Sequence, residues 1–431
     1  MLHCAASPVP TWEYLGPGFG FRDYSGFCVT EHAIYVGPID EDNVTGYGLY
    51  HYAFDEGEWN QIGFPGLIVI GIGVWGANDE SLCVTVVDEW NPAGTWRSTD
   101  GGKSWVEVME GVSYQPLVQS PVDNSRMIMA RLFSTDAGAT WAIGAGGPGS
   151  GGSFTGQAFD PSIGPLAYMT GEHGFEAYWK VYKTANGGAE WSELWISQHN
   201  FGPKVMGVSV DWKDTRRIMV GRGEASGVLI TGDGGETWEW IASPHVVREL
   251  CSAPWGIGHF AAGGDDPDAG VYEVWWTGDL GATWTPLNDG LPVLPSTVWT
   301  SWTQLAAHPV EPILFAALEP TGVWRLDLSD LSGVESGPSD LLSPGFVTYP
   351  NPSNGDMTIA FAGASGLPMR SLRVVDVMGR VVQTLQGGAD QTTLRWDGRD
   401  HAGREVASGV YVVYLRPDGR VGGSQRVLIL R

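Results

Sequence analysis

Short apolar or alternating runs, separated by Gly, Pro, Asn and Asp, recur along the chain: GTWR at 94–97, WKVY at 179–182, RIMV at 217–220, GVLI at 227–230 and VYEVW at 271–275. Runs of this length between turn formers predict β-strands. QAFDPS at 157–162, VDWKDT at 210–215 and AAHPVE at 306–311 each read as the end of a strand followed by a turn. A second set lies at 357–361, 372–377, 381–385, 392–396, 410–415 and 425–430, with Gly-rich turns between, and predicts a small β-sandwich. The chain is therefore expected to be all-β.

Five of the turns share one motif. STDGGKSW (98–105), STDAGATW (134–141), TANGGAEW (184–191), TGDGGETW (231–238) and TGDLGATW (277–284) all fit Ser/Thr-x-Asp/Asn-x-Gly-x-x-Trp. Asp100, Asp136, Asn186, Asp233 and Asp279 are expected to close a tight turn by accepting bonds from backbone N–H groups two residues on. Gly102, Gly138, Gly188, Gly235 and Gly281 suit the positive φ such a turn requires. Trp105, Trp141, Trp191, Trp238 and Trp284 would then open the next strand and pack a large apolar body on the neighbouring repeat.

Partial copies extend the series. FDEGEW, ending at Trp59, is the motif shortened by one residue. TWEYLG at 11–16 looks like the strand after a motif and has none before it, whereas GVWRLDL at 322–328 looks like the strand before one and has none after it. The strand-opening tryptophans are then Trp12, Trp59, Trp105, Trp141, Trp191, Trp238 and Trp284, at intervals of 47, 46, 36, 50, 47 and 46 residues. That period suits a four-stranded propeller blade, and seven openers predict seven blades. The N-terminal strand would complete the last blade and close the ring, which removes an exposed edge. The short interval predicts a third blade that has lost most of the loop before its third strand.

The motif resembles the Asp-box, or BNR, repeat of sialidases, sortilin-type receptors, photosystem assembly factors and xyloglucan hydrolases. The resemblance implies a β-propeller over residues 1–330. A Ser/Gly/Pro-rich linker follows at 331–345, and residues 346–431 form a separate unit. There, VDVMGR at 375–380 and WDGRDHAGREVASGVY at 396–411 resemble both the immunoglobulin-like domain of the flagellar hook-capping protein and the type A C-terminal sorting domain of type IX secretion. The YPNP opening at 349–352 and the terminal position favour the sorting family. The expected fold is a seven-bladed β-propeller followed by a small immunoglobulin-like β-sandwich, with Trp396 and Tyr411 in the sandwich core and Gly398, Gly403 and Gly409 at its turns. The sorting resemblance implies a protein exported to the outer surface or medium through the secretion machinery.

Charge sharpens the division. The chain of 431 residues has a net charge of −25. Residues 1–345 hold 42 acidic against 14 basic side chains, and residues 346–431 hold 7 against 10 with no lysine. So acidic a chain would be repelled by phosphate backbones, and nucleic acid is not an expected partner. No apolar run is long enough for a membrane span. Cys4, Cys28, Cys83 and Cys251 show no metal or redox spacing and are expected as buried thiols. The beginning, MLHCAASPVP, lacks the basic and apolar regions of a signal peptide, so either the protein stays inside or its true start is missing.

Candidate chemistry is sparse. The carboxylates of the motif are expected to be structural. Sialidases place a Phe-Arg-Ile-Pro segment before the first repeat and use three arginines; FRDY at 21–24 departs from it at the last two positions. Xyloglucan hydrolases set two propellers around a cleft, and one propeller lacks the second wall. The nine histidines show no HExxH, and the Gly-rich 145–153 lacks the Lys and helix of a phosphate cradle, so it is expected to be a flexible surface loop.

One distribution remains. The loops joining second to third strands emerge on one propeller face and carry Asp40, Glu41 and Asp42; Asp88 and Glu89; Glu172; Glu224; Asp265, Asp266 and Asp268; and Glu319. The acids either solvate the surface or form a ligand face for a basic partner or for Ca²⁺, held by Asp40 with Asp42 or by Asp265 with Asp266. No other cofactor is expected. Trp75, Trp255, Trp299 and Trp302 are expected in the core, with sugar stacking as the alternative. The function expected is binding of a glycan or protein outside the cell. A glycoside hydrolase and an assembly factor like the photosystem propellers are the alternatives.

Overall fold

The computed structural model describes residues 10–16, 26–38, 47–87, 92–111, 116–148, 154–172, 178–197, 205–223, 226–256, 258–263, 273–292, 303–318, 321–329, 346–349, 353, 357–361, 370–376, 381–387, 393–416 and 423–429. Among these residues all regular structure is β and none is helical. The chain divides into two compact units, Met1–Ser336 and Gly337–Arg431.

The first unit begins with a lone strand, β1 (Glu13–Gly16). Blade 1 then runs outward through β2 (Phe27–Val29), β3 (Ala33–Val36), β4 (Leu49–Ala53) and β5 (Trp59–Gly63). Blade 2 comprises β6 (Ile68–Trp75), β7 (Ser81–Val87), β8 (Pro92–Ser98) and β9 (Val106–Met109). Blade 3 is the smallest, with β10 (Val118–Gln119), β11 (Met127–Met129), β12 (Leu132–Ser134) and β13 (Ala142–Ile143). Only Ala130 and Arg131 separate β11 from β12, which accounts for the short interval in the sequence.

A short strand, β14 (Ala145–Gly146), precedes blade 4, which is built from β15 (Phe154–Phe159), β16 (Ala167–Glu172), β17 (Trp179–Thr184) and β18 (Glu190–Ile196). Blade 5 has β19 (Val205–Val210), β20 (Ile218–Arg222), β21 (Val228–Thr231) and β22 (Glu239–Ile241). Blade 6 has β23 (Val247–Cys251), β24 (His259–Gly263), β25 (Glu273–Thr277) and β26 (Thr285–Pro286). Blade 7 has β27 (Thr303–Ala307), β28 (Ile313–Leu318) and β29 (Gly322–Asp327), and its fourth strand is β1, antiparallel to β29.

The innermost strands touch in the order β2, β6, β10, β15, β19, β23, β27 and back to β2, so the ring is closed. Each neighbouring pair of blades shares an apolar cluster. The cluster between blades 7 and 1, for example, joins Ile313 and Phe315 to Ile34 and Val36. Sheets that pack face to face in this way bury both surfaces, hence the runs of fully buried residues along β3, β7, β20 and β28.

The Gly-rich segment after blade 3 corrects an expectation. Residues 145–146 form a strand that pairs in parallel with β18, Ala145 opposite Glu190 and Gly146 opposite Trp191, and so adds a fifth strand to blade 4. A Cβ on Gly146 would lie 2.2 Å from the Trp191 carbonyl oxygen. The glycines there permit a close backbone approach that composition alone read as looseness.

In the second unit, β30 (Phe346–Tyr349), β31 (Met357–Phe361) and β34 (Thr393–Trp396) form one sheet. The strands β32 (Arg370–Asp376), β33 (Val381–Gly387), β35 (Gly409–Arg416) and β36 (Gly423–Ile429) form another. Met357, Ile359 and Trp396 from the first meet Leu372, Val374, Tyr411, Val413, Val427 and Ile429 from the second in one core. Trp396 and Tyr411 pack edge to face at 5.6 Å, and Gly398 and Gly403 have φ of 67° and 75°.

Candidate functional site: a cleft at the interrupted turn

The repeated motif joins the third to the fourth strand of blades 2 to 6, and its hydroxyl residue ends the third strand each time: Ser98, Ser134, Thr184, Thr231 and Thr277. In blade 2, Ser98 Oγ accepts the Gly102 N–H at 2.9 Å and donates to Asp100 Oδ1 at 2.8 Å. Asp100 then takes the N–H of Ser104 at 2.9 Å and its hydroxyl at 2.6 Å. The same bonds, from the Gly N–H to the hydroxyl and from the hydroxyl to the side-chain Oδ1, recur at Asp136, Asn186, Asp233 and Asp279.

The backbone N–H that each acid or amide accepts lies four residues on, not two, because the turn is wider than a simple Asx turn. The hydroxyl of Ser104 bonded to Asp100 is the leading cause that holds that carboxyl down to about 2. These carboxylates are committed to their own turns.

The motif glycines have φ between 76° and 100°, as expected. A second reason for them emerges only from packing: a Cβ on Gly188 would lie 2.8 Å from Phe133 Cβ, and one on Gly235 2.6 Å from Leu194 Cδ2, both on the preceding blade. The opening tryptophans also reach back one blade: Trp59 donates to the Leu15 carbonyl at 3.0 Å, and Trp105 packs on Phe64 at 4.7 Å.

Blade 1 breaks the rule. Its third strand ends at Ala53, so no hydroxyl can anchor a motif turn, and Gly57 instead closes back on the Ala53 carbonyl at 2.9 Å. Phe54 turns inward and stacks on Phe315 at 5.7 Å. Beside this interrupted turn lies a cleft of about 390 Å³ lined by Glu31, His32, Ala33, Tyr35, His51, Ala53, Phe54, Asp55, Asn78 and Asp79. It sits on the face of the first-to-second and third-to-fourth connections.

Asp79 is the deepest acid of the cleft at 8% exposure, and its φ of 55° is left-handed, a conformation Asp tolerates better than most residues. Its Oδ2 accepts Thr30 Oγ1 at 2.5 Å and the Tyr35 hydroxyl at 3.4 Å, while its Oδ1 makes no hydrogen bond. Burial raises its pKa against the opposing pull of Thr30, the histidines and Tyr35. Burial lowers that of His51, whose Nδ1 is enclosed without a hydrogen-bond partner. Tyr35 and His51 face each other at 5.5 Å, and His32 Nε2 lies 3.0 Å from the Ala77 carbonyl oxygen. Burial, with the negative charge of Asp79 next, pushes the Cys28 thiol up to about 12.

Of the acidic ligand face expected from sequence, Glu172 is described, half-buried at the end of β16 opposite Trp179. Asp40, Glu41, Asp42, Asp88, Glu89, Glu224, Asp265, Asp266, Asp268 and Glu319 lie outside the described residues, as do Phe21–Tyr24, Trp299 and Trp302. Among the described residues no group of three or more His, Cys, Asp or Glu is placed to hold a metal ion. Trp255 is core at 4% exposure, whereas Trp75 is half-buried with the Arg97 guanidinium 5.7 Å over its ring.

A second polar cluster is sealed. His259 Nδ1 lies 3.1 Å from Ser209 Oγ, and Asp211 accepts the Gly258 N–H at 2.9 Å. Ser209, Asp211 and His259 are at most 3% exposed, so no substrate reaches them, and the cluster fastens blade 5 to blade 6. The shortened motif at Trp59 is legible in the sequence and the cleft is not, because Thr30, His51 and Asp79 converge only through packing of neighbouring blades.

Residues 347–429 match the family of secretion system C-terminal sorting domains. Among curated proteins none matches the sequence. Of solved structures, an ancestral GH74 enzyme is similar at 14% identity and a TM-score of 0.52, covering 98% of this chain and 64% of its own. A chain of the mitotic checkpoint complex is similar at 14% identity and a TM-score of 0.52, covering 74% and 92%. PorZ, a surface component of the type IX secretion system of Porphyromonas gingivalis, is similar at 16% identity and a TM-score of 0.47, covering 98% and 61%. The chain thus spans less than two thirds of PorZ and of the GH74 enzyme. At these identities the likeness to the GH74 enzyme and to the checkpoint-complex chain is one of fold. The sorting domain makes this a secreted or cell-surface protein.

Proposed function

We propose that the propeller is a binding module carried outside the cell by its C-terminal domain, and that its ligand, a glycan or a protein segment, is held in the cleft of blade 1. The observation that carries this is the coincidence of a lost motif turn with a cleft that gathers Asp79, His51, Tyr35 and Phe54. Where blades 2, 3, 5 and 6 lock their motif carboxylates into turns, Asp79 of blade 2 leaves one carboxylate oxygen without a hydrogen bond at the cleft beside blade 1. The intact turns support assigning the repeat to the Asp-box class, and the two-sheet tail is consistent with the immunoglobulin-like form.

Glycan and peptide arrays probed with the full chain and with Asp79→Asn test the proposal: ligands retained by the full chain and lost by the variant are expected, and identical profiles would reject the cleft. Hydrolysis of a bound glycan during the assay would move the assignment to a glycoside hydrolase. A reporter fused to residues 346–431 should reach the surface in a host with type IX secretion, and retention in the periplasm would count against export by this route.

A further inference from the structure

Resting on that assignment of the cleft, we infer that it recognises a protonated amine, so that the recognised group is the ammonium of a lysine side chain or of an amino sugar. Asp79 is more than nine-tenths buried and has one oxygen bonded to Thr30 and Tyr35 and the other without a partner. The free oxygen opens to the cleft, where a charge-assisted bond from an ammonium supplies both a donor and an opposite charge.

The surroundings favour a cation. Glu31 and Asp55 are exposed at the cleft, and among the described residues neither Lys nor Arg lines it. Its other nitrogenous groups are His32, His51 and Asn78. An anionic ligand would meet three carboxylates with no fixed positive charge, and a neutral hydroxyl would leave their field unbalanced. The rings of Tyr35 and Phe54 give the walls an apolar and π character that an ammonium on a carbon stem can use. The volume of about 390 Å³ admits one side chain or one sugar ring.

The test is titration of the full-length protein, followed by calorimetry and by NMR of the ligand, with paired probes: Nα-acetyl-lysine amide against its Nε-acetylated form, and glucosamine against N-acetylglucosamine. In at least one pair the charged member should bind at least about tenfold more tightly, and the pair that shows this identifies the source of the amine. Affinity should fall as salt rises. Asp79→Asn, which keeps a side chain able to adopt the left-handed turn, should abolish the preference. Asp55→Asn, at an exposed position, should weaken it about two- to threefold and guards against a folding defect in the first variant.

Equal binding of charged and neutral members that is still lost in Asp79→Asn would overturn the amine and leave the cleft as the site. Binding of the amines that survives both substitutions, or no binding of any probe, would overturn the inference.

Discussion

Trp12 donates its indole N–H to the carbonyl oxygen of Leu287, 275 residues further along the chain, at 2.6 Å. Both belong to the closure of the ring: Trp12 is 3% exposed in the cluster between blades 6 and 7, and Arg325 of β29 reaches Glu13 of β1 at 3.2 Å. Deleting residues 1–17 should therefore lower the melting temperature of the whole propeller. Trp12→Ala should cost about 3–5 kcal/mol. Gly290→Ala should act in the same direction, because Gly290 has φ of 86° and its Cβ would lie 2.9 Å from the Trp12 carbonyl oxygen. A truncated chain that melts like the full one would refute closure by the N-terminal strand.

The motif hydroxyls should matter for stability and not for binding. Thr231 is 2% exposed and accepts the buried Gly235 N–H at 3.0 Å. Thr231→Val keeps the shape and strands that donor, so chemical denaturation should show a loss of about 1–3 kcal/mol. Ligand binding at blade 1 should be unchanged.

Stability should also fall as pH rises from about 4.5 to about 8, through Glu249. This residue lies on β23, the innermost strand of blade 6, and desolvation raises its carboxyl from 4.5 to about 8. The unfolded chain gives up this proton near pH 4.5 and the folded chain near 8, so the stability is fully present below the first value and lost between the two. One group changes stability by at most about 1.4 kcal/mol per pH unit. Glu249→Gln should remove that loss, so that the variant gains on the parent by a few kcal/mol as pH rises from about 5 to 8. Parallel stability profiles for the two proteins would show that the carboxyl ionises freely.

Calcium should leave the melting temperature unchanged. The acids offered from sequence, Asp40 with Asp42 and Asp265 with Asp266, lack the spacing and terminal Glu of an EF-hand loop. Replacing all four with Asn should change stability little. A rise in melting temperature with added ion that disappears in the fourfold variant would establish a calcium site.

The sequence by itself determined the number of blades, the position of the turns and the way the ring closes. Each depends on local information repeated in register: a hydroxyl, an acid and a glycine at fixed spacing, with a tryptophan to open the next strand. It also marked Trp396 and Tyr411 for the second core, since large aromatic residues among short strands have few other places to go. Tertiary structure alone decided two matters. The glycines after blade 3 form a parallel fifth strand because Trp191, forty-five residues later, offers its backbone to Gly146. The cleft exists because Thr30 and His51 of blade 1 meet Asp79 of blade 2 at an interface whose motif turn is missing. A pattern of period and spacing describes each blade in isolation, whereas the unpaired oxygen of Asp79 is set by what the neighbouring blade does not supply.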